Sequence, residues 1–211
     1  MGEGARTAAH SPSVTVSLPA LPDTPACRLA REVVQEFSSP ALVNHCLRSY
    51  LWAADHAARH GIDFDAELLF VSAMVHDLGL TPVFDSATVP FEDAGGAVGW
   101  VFAAGAGWPV ERRRRVADIV VAHMAPEVDV GADPEGHLLE LATGLDISGR
   151  DPDAWPADLR AGVLARYPRL GLIDEFVACF TDQARRKPDS LAGRFVATGF
   201  AERAHANPLD A

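Results

Sequence analysis

The sequence predicts an all-α domain, and three observations carry that expectation. Apolar residues recur at helical spacing through most of the chain, helix-start and helix-stop signals punctuate it at short intervals, and no stretch shows convincing strand character. The 211 residues are 48% hydrophobic and 22% charged, proportions that suit one globular unit with its own core and argue against disorder.

Residues 1–22 are rich in Gly, Ser, Ala and Pro and aperiodic, which predicts a flexible N-terminal segment, with Val14 to Leu18 able to settle across the surface. The domain proper is expected over residues 23–205. Asp23-Thr24-Pro25 opens a first helix with Leu29, Val33 and Phe37 at helical spacing. Ser38-Ser39-Pro40 repeats the signal for a second, which runs to about Arg59 and stops at His60-Gly61. A third starts after Asp63 or Asp65, carries Leu68, Leu69, Ser72, Ala73 and His76, and ends by Gly79 and Pro82. Further helices are expected from about Glu92 to Ala104, Val110 to Met124, His137 to Leu145, Pro156 to Ala165, Leu172 to Lys187 and Leu191 to Arg203. Short connections and the absence of a repeat make this a single helical bundle.

Asp and Glu number 29 against 18 Lys and Arg, a formal net charge of -11, which argues against general binding to nucleic acid or an anionic membrane. Cys27, Cys46 and Cys179 are odd in number and far apart, so they read as core thiols in a reducing compartment rather than as a disulfide framework or a zinc-thiolate site. No apolar run approaches the roughly 20 residues of a membrane span, and the first residues lack the order of a secretory signal. The expectation is a cytoplasmic protein acting on a small molecule, without nucleic-acid or membrane partners; a homo-oligomer is compatible with it.

His76-Asp77 would arise by chance about 0.7 times in this composition, so the dipeptide alone carries little. Its setting carries more. It lies in LLFVSAMVHDLGL, where a ring and a carboxylate enter a face otherwise filled by apolar side chains, and buried charge needs a partner. His45 in ALVNHCLRSYLWA and Asp146 at the end of LLELATGLD have the same character. Together His45, His76, Asp77 and Asp146 offer two imidazoles and two carboxylates, a donor set for one divalent ion, with Zn(II) first and Fe(II), Mn(II) or Co(II) as alternatives.

The order H…HD…D resembles the HD-domain metallohydrolase superfamily. LPDTPACRLAREVV, LVNHCLRSYLWA, ELLFVSAMVHDLGLT, FEDAGGAVGWVF, VVAHM, LLELATGLDISG and YPRLGLIDEFVACF extend the likeness to its cyanamide hydratase branch, over roughly residues 20 to 188. The resemblance implies an all-α fold, one metal on those four residues, and addition of metal-bound water to a nitrile-like carbon, cyanamide giving urea. After Lys187-Pro188 the chain reads DSLAGRF, where the branch tends to carry an aromatic, cysteine and histidine-bearing stretch, so the substrate stays open. Dinuclear members of the superfamily carry two further histidines; here Phe91-Glu92 stands where the first would be, and His123 resembles the second.

Asp77 is therefore expected to bind metal through one oxygen and accept the water proton through the other. His123, at helical spacing from Val116 and Ile119, is expected in the pocket as a hydrogen-bond donor to substrate or water, with a second-metal role as the lesser reading. Two carboxylates would neutralise the ion and favour a small neutral substrate. Arg48, one turn after His45, is either an anion contact or half of an ion pair with a carboxylate such as Asp55 or Glu92. In the first role it would suit the alternative reading, a phosphohydrolase acting on a nucleotide or small phosphomonoester. Two others are a non-catalytic ligand-binding domain and an iron-dependent oxygenase. Trp52, two turns after His45, is the aromatic expected nearest the cavity, and Glu92 is a helix-start carboxylate or an acid/base. His10, His56, His60 and His205 read as surface residues, and His137 as the start of a helix. Arg112 to Arg115 read as solvated helix turns. Phe70, Phe91, Trp100, Phe102, Trp108 and Phe176 are core residues, some of which line the pocket.

Overall fold

A computed structural model describes residues 17–210, so most of the expected N-terminal segment, with His10, lies outside the described residues. Within them, Leu18 and Leu21 pack partly buried against the main core. The helices begin where the sequence supplies caps. Helices α1 (Pro25–Phe37), α2 (Pro40–His60) and α3 (Ala66–Val75) start on Thr24, Ser39 and Asp65, whose side chains accept from the amides of Cys27, Leu42 and Leu68. The Ser39 hydroxyl also donates to Glu175, with its oxygens at 2.7 and 2.8 Å, tying the start of α2 to a distant helix. Gly61 ends α2 in the left-handed region at φ 66.

The expected face of α1 is not the buried one. Ala26, Cys27, Ala30 and Val34 are buried, while Leu29 and Phe37 stay 45% and 36% exposed. Small side chains let α1 lie close on α3, and the larger ones fall on its flanks. Helix α3 is apolar on all sides and buried from Leu68 to Val75, so it occupies the middle of the bundle. It stops before the His-Asp pair. His76 keeps helical angles, Asp77 leaves them, and Leu78–Leu80 form a 3-10 turn. Gly79 is required there, because a Cβ would run into the carbonyl oxygen of Phe91 and lie 2.9 Å from the amide nitrogen of Gly95.

Helices α4 (Phe91–Gly105) and α5 (Val110–Ala122) pack tightly, with Val116 and Val121 filling the space beside Gly99 and Gly96. Helix α6 (Pro134–Ser148) starts a turn earlier than expected, on the Asp133 cap, and packs along α2. Helices α7 (Ala157–Arg166), α8 (Leu172–Arg186), α9 (Leu191–Ala197) and α10 (Phe200–His205) complete the bundle. A single helix was expected over Leu191 to Arg203; it breaks at Thr198-Gly199, where Gly199 takes φ 82. Packing continues past residue 205. The Asn207 amide donates to the carbonyls of Leu145 and Asp146 at 3.2 and 3.0 Å, and Asp210 pairs with Arg169.

No strand occurs among the described residues, and no helix there is long and apolar enough to cross a membrane. The apolar interior has two parts. The larger surrounds α3, and the smaller joins Phe91, Met124 and Ile147 to Phe176, Phe180 and Phe200. A cavity opens where the smaller part meets the end of α3.

Candidate metal centre

Three imidazoles meet at the end of α3. His45 comes from the second turn of α2, His76 from the end of α3 and His123 from the end of α5; the first two are fully buried and the third nearly so. Each ring is held by its Nδ1. That of His45 lies 2.7 Å from Asp146 Oδ2, that of His76 lies 2.8 Å from the Ala73 carbonyl, and that of His123 faces the Val120 carbonyl. Carbonyl and carboxylate oxygens only accept, so each Nδ1 carries the hydrogen and each neutral ring presents a bare Nε2.

Those bare nitrogens converge with a carboxylate. His45 Nε2 and His76 Nε2 are 3.1 Å apart, and Asp77 Oδ2 lies 3.3 Å from the first and 3.0 Å from the second. His123 Nε2 is 3.7 Å from Asp77 Oδ1. Asp77 is 2% exposed, yet neither of its oxygens has a hydrogen-bond partner. Lone pairs packed against lone pairs in a buried site repel unless a cation lies between them. His45, His76 and Asp77 each offer one donor atom within 4.8 Å of the others, nitrogen and oxygen donors that suit a divalent ion of the zinc or iron type.

The protonation balance has the same cause. Burial works against a charge on His45, but hydrogen bonding and attraction from Asp146 and Asp77 raise its pKa. Burial also opposes the charge on Asp77, while positive charge on His76 and hydrogen bonds from His45 and His76, present only when these rings are protonated, hold its carboxyl below the ordinary range. His123 goes the other way: burial, and next the neighbouring His76, push it down to about 3, so it is neutral at pH 7. With Nδ1–H committed to Val120, its Nε2 accepts. This reverses the donor role expected of it.

Two expected site residues lie behind the centre. Asp146 is outside the converging group: its carboxylate takes hydrogen bonds from Arg48 Nε and Nη2 at 2.8 and 2.7 Å, from Trp52 Nε1 at 2.9 Å, and from His45 Nδ1. Burial disfavours its charge, but Arg48 holds its pKa well below the usual carboxylate value. Arg48 is completely buried, its remaining Nη1 donates to the Tyr167 and Pro168 carbonyls, and it does not line the cavity. It is an ion-pair residue rather than an anion contact, with Asp146 in place of the expected Asp55 or Glu92. The argument from two carboxylates neutralising one ion changes accordingly, because the charge of Asp146 is balanced by Arg48. Trp52 reaches Asp146 instead of the cavity.

Other candidates lie elsewhere. Glu92 is buried with Oε2 unpartnered, burial raises its pKa, and it does not line the cavity. His56 and His60 stack on one another at 3.9 Å, and His137 donates to the Val128 carbonyl. Arg112 and Arg115 form ion pairs with Asp65, Glu67, Asp133 and Glu135. Of the six expected core aromatics, Phe91 and Phe176 line the cavity and Trp100 is 36% exposed.

The cavity measures about 260 Å³ and includes His45, His76, Asp77 and His123 in its wall. Phe180, Phe195 and Phe200, which the sequence had not singled out, form much of the rest. Phe195 comes from the DSLAGRF segment. Helical spacing from Phe176 to Phe180 was the available signal for one of them.

Residues 42–142 match the family model for the HD domain, which takes in His45, His76, Asp77 and His123 and ends just before Asp146. Over 173 residues the chain is 29% identical to each of two Saccharomyces cerevisiae proteins, cyanamide hydratase DDI2 and cyanamide hydratase DDI3, covering 79% of this chain and 76% of each relative.

Proposed function

This chain carries an HD domain, and on that premise we propose that it is a metal-dependent hydratase or hydrolase that adds water to a small neutral molecule with a nitrile-like carbon. One observation carries the reading: a buried carboxylate without a hydrogen-bond partner faces imidazole Nε2 atoms which, in neutral rings pinned through Nδ1, carry no proton to offer it. His45, His76 and Asp77 would hold the ion, with zinc as the first candidate and Fe(II), Mn(II) or Co(II) as alternatives. Asp146 would fix the His45 ring through Nδ1, in a carboxylate–histidine–metal arrangement. The chemistry such an ion supplies when bound is Lewis acidity, which lowers the pKa of water to about 7.

The chain's own groups would do the rest. Asp77 Oδ1 and His123 Nε2, 3.7 Å apart, are placed to accept the proton of the attacking water. Water would add its oxygen to the carbon and one proton to the nitrogen, giving an imidic acid; its remaining hydroxyl proton then moves to the same nitrogen, so that two carbon–nitrogen bond orders are lost, a carbon–oxygen double bond is formed, and cyanamide gives urea and a nitrile gives an amide. A phosphomonoester is the weaker reading, since Arg48 is fully engaged away from the cavity and Arg150, on the cavity wall, is paired with Glu140 at 2.6 Å. The similarity to two cyanamide hydratases supports cyanamide as the first substrate to test. Three free cysteines support a reducing, cytoplasmic setting.

Elemental analysis of the purified protein, together with urea release from cyanamide and phosphate release from nucleoside monophosphates, tests this reading. About one divalent ion per chain, lost in His76→Ala along with urea release, is the expected result. Full occupancy in His76→Ala would refute the site, and phosphate release without hydration would refute the reaction.

A further inference from the structure

We infer that the substrate is larger than cyanamide: a neutral molecule whose reactive carbon bears an apolar group of about the size of a phenyl ring. The inference rests on the hydration reading for its reactive end and on the cavity for the remainder.

Size comes first. The cavity holds about 260 Å³. A water molecule's share of liquid volume is about 30 Å³, and an apolar protein cavity of about 150 Å³ is known to bind benzene. Cyanamide, with three heavy atoms, would fill the room of roughly two or three waters and leave most of this space empty. A ring and a nitrile together would occupy it.

The wall indicates what fills that space. Phe91, Phe176, Phe180, Phe195, Phe200 and Met124 all contribute to it. The rings form a continuous series that begins at the metal-ligating histidines: Phe176 lies 5.2 Å from the His45 ring, Phe180 lies 5.8 Å from Phe176, and Phe200 stacks on Phe180 at 4.5 Å. On the other side Phe91 lies 5.8 Å from His123 and 5.5 Å from Phe180. An apolar group attached directly to the reacting carbon would therefore meet aromatic surface at once, in offset or edge contact. A substrate with no apolar part would leave that surface facing water.

The two arginines of the wall are already engaged. Arg150 is taken by Glu140, and the other lining cation, Arg203, is exposed and donates to the Thr198 carbonyl. Among the described residues, the cavity lining holds no further arginine and no lysine. Phe176, Phe180, Phe195 and Phe200 all lie beyond the stretch that matches the HD domain, so this chain's C-terminal helices set the size and polarity of what enters.

The test compares cyanamide, acetonitrile, benzonitrile and 4-cyanobenzoate as substrates of the metal-loaded protein, and measures benzamide binding to metal-depleted protein by calorimetry. Benzonitrile should exceed acetonitrile and cyanamide in kcat/KM by tenfold or more, about what burial of one ring yields. Benzamide should bind without metal, and Phe195→Trp, which fills the cavity, should cut both that affinity and the benzonitrile-to-cyanamide ratio at least tenfold. Circular dichroism and metal content report whether the variant folds; Phe195→Leu, which removes the ring without adding bulk, gives a second reading. Hydration of cyanamide with no turnover or binding of the aryl compounds would overturn this inference and leave the proposed function standing. Benzamide binding that Phe195→Trp abolishes, with no nitrile hydrated, would uphold the apolar site and overturn the hydration reading.

Discussion

Replacement of Arg48 by Met keeps most of the side chain's length and removes four hydrogen bonds, two to Asp146 and one each to the Tyr167 and Pro168 carbonyls. Asp146 would remain buried with His45 Nδ1–H and Trp52 Nε1–H as hydrogen-bond donors and, as its remaining cation, the Arg169 guanidinium 3.7 Å from Oδ1, which is shared with Asp210. Breaking a buried pair by deleting one partner costs about 3–5 kcal/mol, because the other charge is stranded away from water. For a chain of this size each kcal/mol lowers Tm by about 2–4 °C, so Arg48→Met should melt roughly 6–20 °C lower. Asp146→Leu strands the guanidinium instead and should fall by a similar amount. The double variant removes both charges and should lose less than the sum of the singles, by about 1.5–3 kcal/mol. Urea unfolding followed by far-UV circular dichroism, in the presence of a chelator so that metal binding does not contribute, measures all three. Additivity within about 0.5 kcal/mol would show that the two residues do not act as a unit and would refute the reasoning.

Three further outcomes follow from the same geometry. Asp146→Asn keeps a side chain beside His45 but weakens its hold on Nδ1, so zinc affinity in competition with a chromogenic chelator should fall about 10–100-fold rather than vanish, whereas His76→Ala should abolish binding; equal losses would make Asp146 a ligand. Burial, and next His60 and Arg59, push His56 down to about 4, below the value near 6.5 of an unfolded chain, so the unfolded state takes up a proton that the folded state refuses. Its contribution to stability is therefore full above about pH 6.5 and falls as pH drops towards 4. The urea midpoint of His56→Gln should fall less than wild type between pH 7 and 4.5, and parallel curves would remove His56 as the cause. Gly79→Ala would force a methyl group onto the Phe91 backbone, which has no room to yield, and should cost about 3 kcal/mol or more by denaturant unfolding; a loss under about 0.5 kcal/mol would mean that the turn after Asp77 is slack.

Three helix starts were readable in the chain because a cap acts over three residues: Thr24, Ser39 and Asp65 each bond an amide within their own first turn, whereas the Asp133 cap, which does the same, was overlooked and α6 was expected to begin only at His137. The break at Gly199 was missed because a lone glycine inside an apolar repeat reads equally well as tolerated. The buried face of α1 was missed because spacing favours the large residues, while close packing on α3 selects Ala26 and Ala30.

Residue order alone made an all-helical bundle and named the ring and carboxylate candidates, since periodicity, caps and polar intrusions into apolar runs are local properties. Tertiary packing decided their roles. Whether Asp146 faces an ion or an arginine depends on α2 lying against α6, and whether His123 donates or accepts depends on a carbonyl one turn behind it. The phenylalanines of α8, α9 and α10 became one wall only when these three helices met one another beside α2 and α6, which is a matter of long-range contact that no spacing rule encodes.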